Sequence, residues 1–184
     1  MGQGKTDLSQ FNNKWYHPGS RIKRAVWYCI NTTFFVSRFL PFSGLKVFLL
    51  RLFGARIGKG VIIKPSVNIK YPWNLSIGDH AWIGEKVWID CLGKVDIGNH
   101  VCISQGALIL SGNHNYKKEN FDLIVKEIIL EDGVWIGARA IVSQGVRCGS
   151  HSVLTLGSVA QSEMEPYGIY RGNPAEKIRQ RIIE

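Results

Sequence analysis

A six-residue hydrophobic period runs through most of the chain after residue 56. Apart from short insertions, an apolar residue returns at every sixth position: Ile57, Ile63, Ile69, Ile77, Ile83, Ile89, Ile97, Ile103, Ile109, Leu130, Ile136, Val142, Cys148 and Leu154. An α-helix would repeat its apolar face every 3.6 residues and an ordinary strand every two. Hexapeptide repeats are a signature of the parallel β-helix. We therefore predict an all-β fold in which each hexad is one strand with its turn, and three hexads form one triangular coil.

In most repeats the position four residues after the apolar residue is small, which fits the narrow inner corners of such a coil. It is filled by Val61, Val67, Ala81, Val87, Val101, Ala107, Val134, Ala140, Val146, Ser152 and Ser158. Turn positions are rich in residues that tolerate positive φ, including Gly60, Gly133 and Gly157. His80, His100 and His151 share the turn column of Gly60 and Gly133, so we interpret them as structural corner residues.

The spacing also locates the insertions. Ile57 to Ile77 and Ile77 to Ile97 are each 20 residues, so two extra residues fall on the third face of each coil. The step from Ile109 to Leu130 is 21 residues instead of six, which predicts a long loop, residues 113–129, leaving the same face. A long loop in a compact repeat is usually functional.

We divide the chain into a helical segment (1–56), the β-helix (57–165) and a tail (166–184) predicted to form a short helix. In the first segment, the pattern predicts a helix from Ser20 to Phe39, ended by Pro41, and a second one from Ser43 to Phe53.

The net charge of +9 lies entirely in the first 60 residues, which hold ten Lys or Arg and one acid, Asp7. This basic, aromatic segment suits a cap on the open end of the β-helix and also contact with an anionic membrane surface. It carries no nucleic-acid-binding motif. Its longest uncharged run, Ala25 to Ser37, is too short to cross a bilayer, which takes about 20 residues.

Four cysteines, Cys29, Cys91, Cys102 and Cys148, form no CxxC pair. They indicate reduced, buried thiols and no disulfide framework. We expect a cytoplasmic protein, with a position at the inner face of the cytoplasmic membrane as the open alternative.

Three further motifs accompany the hexads: Ser111-Gly112-Asn113-His114-Asn115-Tyr116, Val134-Trp135-Ile136-Gly137-Ala138 and Tyr170-Arg171-Gly172-Asn173-Pro174-Ala175. Together they resemble the hexapeptide-repeat acyltransferases, and within these the colanic acid biosynthesis acetyltransferases. The resemblance covers nearly the whole chain. It implies a left-handed β-helix, a homotrimer, and transfer of acetyl from acetyl-CoA to a sugar hydroxyl at sites between subunits, without a metal. The acceptor it suggests is an exopolysaccharide or capsule precursor.

His114 is the predicted general base. Acyl transfer to an alcohol needs a group that removes the hydroxyl proton near neutral pH, and histidine suits this task. His114 lies where the long loop begins, and the resemblance places the family's base at this histidine. Asp90 follows the inward Ile89 on the preceding coil, so it is expected to orient the imidazole or bind a sugar hydroxyl, unless it is a solvated turn acid. Asn113 and Tyr116, beside His114, are assigned to the acceptor.

The resemblance places acetyl-CoA along the later coils. The residues assigned to it are Trp135, Ala138, Leu156, Gly157, Gln161 and Ser162, with Lys177 and Arg179 supplying charge for the 3′-phosphate. In the family a basic residue is common two places after the proline of the last motif, where this chain has Glu176.

Three alternatives stay open at this point. In the first alternative, the protein is an acetyltransferase whose acceptor is a soluble small molecule such as a free sugar, serine or an antibiotic. The second is a trimeric β-helix metalloenzyme of the carbonic anhydrase type, since His80 and His100 stack one coil apart, although no third histidine lies near them. The third is an inactive scaffold that binds no CoA.

Overall fold

The computed structural model describes residues 4–184 and contains a parallel β-helix built from very short strands. Its first nine strands are β1 (Arg56–Ile57), β2 (Ile62–Ile63), β3 (Asn68–Ile69), β4 (Leu75–Ile77), β5 (Trp82–Ile83), β6 (Trp88–Ile89), β7 (Val95–Ile97), β8 (Cys102–Ile103) and β9 (Leu108–Ile109). A hairpin of β10 (Gly112–His114) and β11 (Leu123–Val125) then leaves the coil. The remaining strands are β12 (Ile128–Leu130), β13 (Trp135–Ile136), β14 (Ile141–Val142), β15 (Arg147–Cys148), β16 (Val153–Leu154), β17 (Val159–Ala160), β18 (Gly168–Gly172) and β19 (Ala175–Gln180).

The strands form three faces of a prism. The first face is β1-β4-β7-β12-β15, the second is β2-β5-β8-β13-β16-β18-β19, and the third is β3-β6-β9-β14-β17. Within each face, equivalent strands of successive coils pair in parallel, as Ile57 pairs with Ile77 and Ile77 with Ile97. The predicted hexad register is therefore confirmed.

The apolar hexad positions fill the interior. The isoleucines at positions 63, 69, 83, 89, 103, 109 and 136 are all buried, and so are the small residues at positions 67, 81, 87, 107, 134 and 140. Burying one such aliphatic side chain contributes about 1.5–3 kcal/mol. The column of stacked isoleucines is therefore the main source of the fold's stability.

The corner histidines are confirmed as turn residues. His80, His100 and His151 have φ values of 56°, 55° and 58°. The rings of His80 and His100 stack with centroids 5.3 Å apart. Beside His80 and His100, Asp79 and Asn99 each accept a backbone N–H from the preceding coil, from Lys59 and Asp79 respectively.

Two helices within residues 4–55 cap the β-helix. Helix α1 (Arg21–Ile30) continues into one turn of π-helix, Asn31–Phe35, and α2 spans Ser43–Leu52. The first helical stretch thus ends four residues before the predicted Phe39.

The first coil has no neighbouring strand on its outer side, so backbone N–H and C=O groups there need partners from the cap. Cap side chains act as acceptors, as Ser43 Oγ does for Ile63 N (3.0 Å) and Asn31 Oδ1 for Ile69 N (3.2 Å), and as donors. The indole of Trp27 donates to Ile69 O (2.7 Å), and the Lys46 ammonium donates to Lys64 O (2.9 Å). Burial lowers the pKa of Lys46. The side of the helical segment that packs on the first coil is otherwise apolar. The buried indole N–H of Trp27 and ammonium of Lys46 occur there because each donates a hydrogen bond to a first-coil carbonyl.

The predicted C-terminal helix is wrong. Residues Gly168–Gly172 and Ala175–Gln180 form an antiparallel hairpin instead. The physical reason is the unpaired edge of β18, which is the last coil strand of the second face, and β19 covers that edge. This requirement arises from the stacking of coils and leaves no local mark in the tail sequence.

Two glycines after strands of the second face, Gly137 and Gly157, differ in their space for a side chain. A Cβ on Gly137 would lie 2.5–2.8 Å from three backbone atoms of residues 154–156, whereas a Cβ on Gly157 would meet nothing within 4 Å. We expect Gly137→Ala to lower the free energy of unfolding by about 3 kcal/mol because backbone atoms cannot move aside. Gly157→Ala is the control and should cost about 1 kcal/mol, for its positive φ alone. Urea unfolding measures both, and equal losses would contradict the packing argument.

Candidate active site

The hairpin that carries His114 projects from the edge where the third face meets the first. In it, Gly112 pairs with Val125, Asn113 with Ile124, and His114 with Leu123. The predicted loop is therefore an ordered arm, with residues 115–122 at its tip.

The His114 ring is half-buried and fixed by Phe121. Its Nδ1 lies 2.9 Å from the backbone oxygen of Phe121, and the two rings stack with centroids 4.5 Å apart. A carbonyl oxygen can only accept a hydrogen bond, so Nδ1 carries the proton. Nε2 of the neutral ring then has a free lone pair. The arrangement leaves His114 ready to accept a proton at Nε2.

Asp90 supports the base of the hairpin and does not contact the imidazole. Its buried carboxylate accepts hydrogen bonds from Ser111 N (2.8 Å), from Ser111 Oγ (2.7 Å) and from Gly112 N (3.3 Å). The expectation that Asp90 orients His114 directly is not met in this structure. It holds the residues from which the hairpin starts.

The chain before α1 contributes to the site, which the sequence reasoning missed. Asp7 N donates to Glu119 O (2.9 Å), and the Phe11 ring lies 5.7 Å from the His114 ring. The Tyr16 hydroxyl donates to Leu92 O (2.9 Å). Residues 7–16 therefore pack along the hairpin. The aromatic rings of this leader were the available signal, but nothing in its sequence tells which surface they contact.

The two residues assigned to the acceptor both lie on the arm. The exposed Asn113 accepts a hydrogen bond from His114 N (2.7 Å), so it shapes the backbone at the imidazole. Tyr116 is 76% exposed, two residues beyond His114. Both side chains are accessible to a molecule that approaches His114.

The residues assigned to acetyl-CoA fall on other parts of the prism. Trp135 lies exposed on the second face and donates to Ser104 Oγ (2.9 Å). Ala138, Leu156 and Gly157 lie at the edge between the second and third faces, where Gly157 N donates to Ala138 O (2.8 Å). Gln161 and Ser162 are exposed on the same edge as the hairpin, two coils further on. In one chain, the third face separates His114 from the edge that carries Ala138 and Leu156.

The basic residues of the tail have different environments. Lys177 is paired with Glu165, whose carboxylate raises the pKa of Lys177. Arg181 donates to Gly133 O and His151 O (both 3.1 Å), which ties the tail to a turn. Arg179 is exposed and makes none of the ion pairs found within residues 4–184. Of the two residues assigned to a phosphate, Arg179 is thus the freer.

The cysteines do not form a nucleophilic site. Burial raises the pKa of the Cys91 and Cys148 thiols and, less strongly, that of Cys102, so the reactive thiolate is disfavoured. Cys29 is exposed, which corrects the expectation that all four are buried. Direct attack by the acceptor hydroxyl on the thioester therefore fits the site better than a cysteine-bound acyl intermediate.

Within residues 4–184, no three His, Cys, Asp or Glu side chains are grouped so that they could hold a metal ion. In the same range, no helix is both long and apolar enough to cross a membrane.

Proteins of known class resemble this sequence over almost its whole length. No family model matches the chain. The chain is, however, 37% identical over 177 residues to the putative colanic acid biosynthesis acetyltransferase WcaF of Escherichia coli, covering 96% of this chain and 97% of that protein. It is 27% identical to the galactoside O-acetyltransferase of E. coli, over 97% of this chain and 77% of that protein.

A hexapeptide-repeat-containing acetyltransferase of Vibrio cholerae has the same fold. One of its structures matches with a TM-score of 0.78 and 25% identity, over 86% of this chain and 90% of that one. A second structure, in complex with acetyl-CoA, matches with a TM-score of 0.79 and 23% identity, over 88% of each chain. The chain belongs to the hexapeptide-repeat acetyltransferase family that includes WcaF, and it is an acetyltransferase with the left-handed β-helix that the family resemblance implied.

Proposed function

We propose that this protein transfers acetyl from acetyl-CoA to a hydroxyl of a sugar, with His114 as the general base. The observation that carries the proposal is the hydrogen bond between His114 Nδ1 and Phe121 O, because it leaves Nε2 free for a proton. In the reaction, Nε2 takes the hydroxyl proton as the oxygen attacks the thioester carbon. The carbon–sulfur bond then breaks, and the CoA thiolate leaves and takes up the proton from His114.

We further propose that the working form is a homotrimer. The groups assigned to base and donor lie on two edges of one prism, so a neighbouring chain is needed to bring His114 against the edge of Ala138 and Leu156. The outward side chains support this arrangement. The second face exposes Trp82 and Trp135, whereas the first face carries Arg56 and Arg147. Exposed tryptophans are typical of contact surfaces.

The names of two relatives support the proposed acceptor class. WcaF is named for the biosynthesis of a polysaccharide, colanic acid, and another relative is a galactoside O-acetyltransferase. We therefore propose an exopolysaccharide or capsule precursor as the acceptor. The experiment is a screen of CoA release from acetyl-CoA with free sugars, sugar phosphates, lipid-linked sugars, serine and chloramphenicol. Release with a carbohydrate is expected, and release only with serine or chloramphenicol would refute the proposal.

As a second part of the function, we propose that the outer side of α2 contacts an anionic membrane. Phe42, Leu45, Phe48 and Leu52 form an exposed apolar stripe along this helix, opposite the side that packs on the first coil. A helix that is apolar on both sides is normally covered on both. A second copy would bring the same excess of positive charge, whereas an anionic bilayer complements it. We propose the inner face of the cytoplasmic membrane as the location.

Vesicle binding tests the stripe. We expect the protein to sediment with vesicles containing phosphatidylglycerol and much less with phosphatidylcholine alone. Replacing both Phe42 and Phe48 by serine should weaken binding by at least tenfold, since each buried phenylalanine contributes about 1.5–3 kcal/mol. Ile182→Ser is the matched control, because Ile182 is 86% exposed near the end of the chain, far from the cap. Equal binding of the double variant and the control would refute the membrane contact.

A further inference from the structure

A cavity of about 650 Å³ lies between α1 and the third face of the β-helix. From the helix it is lined by Arg24, Tyr28 and Asn31, and from the coils by Lys70, Tyr71 and Trp88, among others. Its volume lies within the range of small-molecule sites, about 300–1,000 Å³. None of these residues belongs to the groups assigned above to His114 or to acetyl-CoA.

Arg24 is the first sign of a ligand. Its Nε is shut off from solvent without a hydrogen-bond partner, and the guanidinium takes part in none of the ion pairs found within residues 4–184. A partly buried cation without a partner is unfavourable unless an anion completes the site. Guanidinium groups bind phosphate and carboxylate oxygens through two parallel hydrogen bonds.

Other residues that line the cavity also favour an anionic ligand. The Lys70 ammonium adds a second positive charge at the cavity, 5.6 Å from the centre of the Tyr71 ring, and it too lies outside those ion pairs. The carboxylate of Asp90 is close by, but its oxygens already accept hydrogen bonds from Ser111 and Gly112. The exposed rings of Tyr28 and Trp88 offer flat surfaces for a sugar or a base. Two cations beside aromatic rings suit a phosphate attached to a ring.

The cavity is close to the imidazole because both lie along one edge of the prism. Lys70 and Tyr71 leave the third face in the first coil, Asp90 in the second, and Ser111 in the third. Two coil spacings amount to about 10 Å. The Tyr16 hydroxyl, which donates to Leu92 O (2.9 Å), lies on the same edge at the second coil.

We propose that this cavity binds the phosphate or diphosphate of a phosphorylated acceptor sugar, which places a hydroxyl of that acceptor at His114. The inference rests on the proposed function, since it names the acceptor's chemical class. Arg24 and Lys70 bind the phosphate oxygens, and Tyr28, Tyr71 or Trp88 contacts the attached ring. A sugar diphosphate on a nucleotide and one on a lipid present the same group to this site.

The test separates binding from transfer. Inorganic pyrophosphate and UDP-glucose are titrated calorimetrically into the full-length protein and into Arg24→Gln, Lys70→Gln and the double variant. We expect at least one probe to bind the wild type and each single variant to bind it about 10- to 100-fold more weakly, the usual share of a charged hydrogen bond. Lys59→Gln, at a different edge, is the control and should bind like the wild type. His114→Gln should keep phosphate binding while losing transfer.

Kinetics with UDP-glucose, with glucose linked by diphosphate to a short polyprenol, and with free glucose give the second readout. The single variants should raise KM for the phosphorylated acceptor about tenfold or more and leave transfer to free glucose unchanged. The diphosphate acceptor with the lower KM identifies the natural carrier as nucleotide or lipid. If neither probe binds the wild type and neither variant alters KM for either diphosphate acceptor, the proposal is refuted, even if His114 proves to be the base.

Discussion

His114→Ala is expected to lower acetyl transfer by about a hundredfold to ten-thousandfold, the usual share of a general base. This corresponds to about 3–5.5 kcal/mol of transition-state stabilisation. The reason is that the acceptor hydroxyl keeps its proton unless Nε2 removes it, and a neutral alcohol is a poor nucleophile toward a thioester. The measurement is the rate of CoA release at saturating acetyl-CoA, with the acceptor identified in the screen.

Two controls separate loss of the base from loss of structure. His114→Gln places an amide near the position of Nε2 without a basic nitrogen, so it should be about as inactive as the alanine variant. Binding of acetyl-CoA by calorimetry should stay within about twofold of the wild type for both, because the donor residues lie on another edge. Turnover close to that of the wild type in either variant would show that another group takes the proton.

Asp90→Ala is expected to have the second largest effect, on stability and on transfer together. Removing the carboxylate leaves Ser111 N, Ser111 Oγ and Gly112 N without their acceptor in a buried place. Losing hydrogen bonds to a charged group should lower the free energy of unfolding by about 3 kcal/mol. His114 lies three residues further along, so its displacement should reduce kcat by about tenfold to a hundredfold.

The conservative variant shows whether Asp90 acts by positioning. Asp90→Asn keeps the shape and one oxygen that can accept from Ser111 N, so it should recover most of the stability and most of kcat. Neither variant should alter KM for acetyl-CoA. A catalytic carboxylate would give the opposite result, with Asp90→Asn stable but as inactive as Asp90→Ala. An Asp90→Ala variant with unchanged stability would contradict the buried hydrogen bonds described here.

The sequence predicted parts of the candidate site unevenly. His114 was identifiable because it stands where a strict repeat is interrupted by 15 extra residues. Asp90 was placed in the right region but given the wrong contact, since the hexad fixes the coil of a residue and not the direction of its side chain. Phe11 and Tyr16 were missed altogether. Phe11 contacts the hairpin at His114 and Tyr16 contacts Leu92, 76 residues further along the chain, and no local pattern records such contacts.

The secondary structure of the tail, residues 166–184, was also not predictable from its local sequence. Its residues were predicted as a helix, yet Ala175–Gln180 forms a strand because β18 presents an open edge. A segment of this length takes the secondary structure that its neighbour in space requires. Lys177, assigned by sequence to a phosphate, is paired with Glu165, and the neighbouring Arg181 donates to turn carbonyls.

The sequence by itself determined the parallel coil, its hexad register, the corner histidines and the position of the hairpin, because each follows from which residues recur inside a repeating prism. The tertiary structure alone decided that Phe121 fixes the tautomer of His114, that Asp90 anchors the hairpin and that Arg24 faces a cavity without a partner. Side-chain contacts between distant segments depend on how the cap and leader pack against the coils. The hydrophobic period sets which side chains point inward, but it carries no information about what covers the outside.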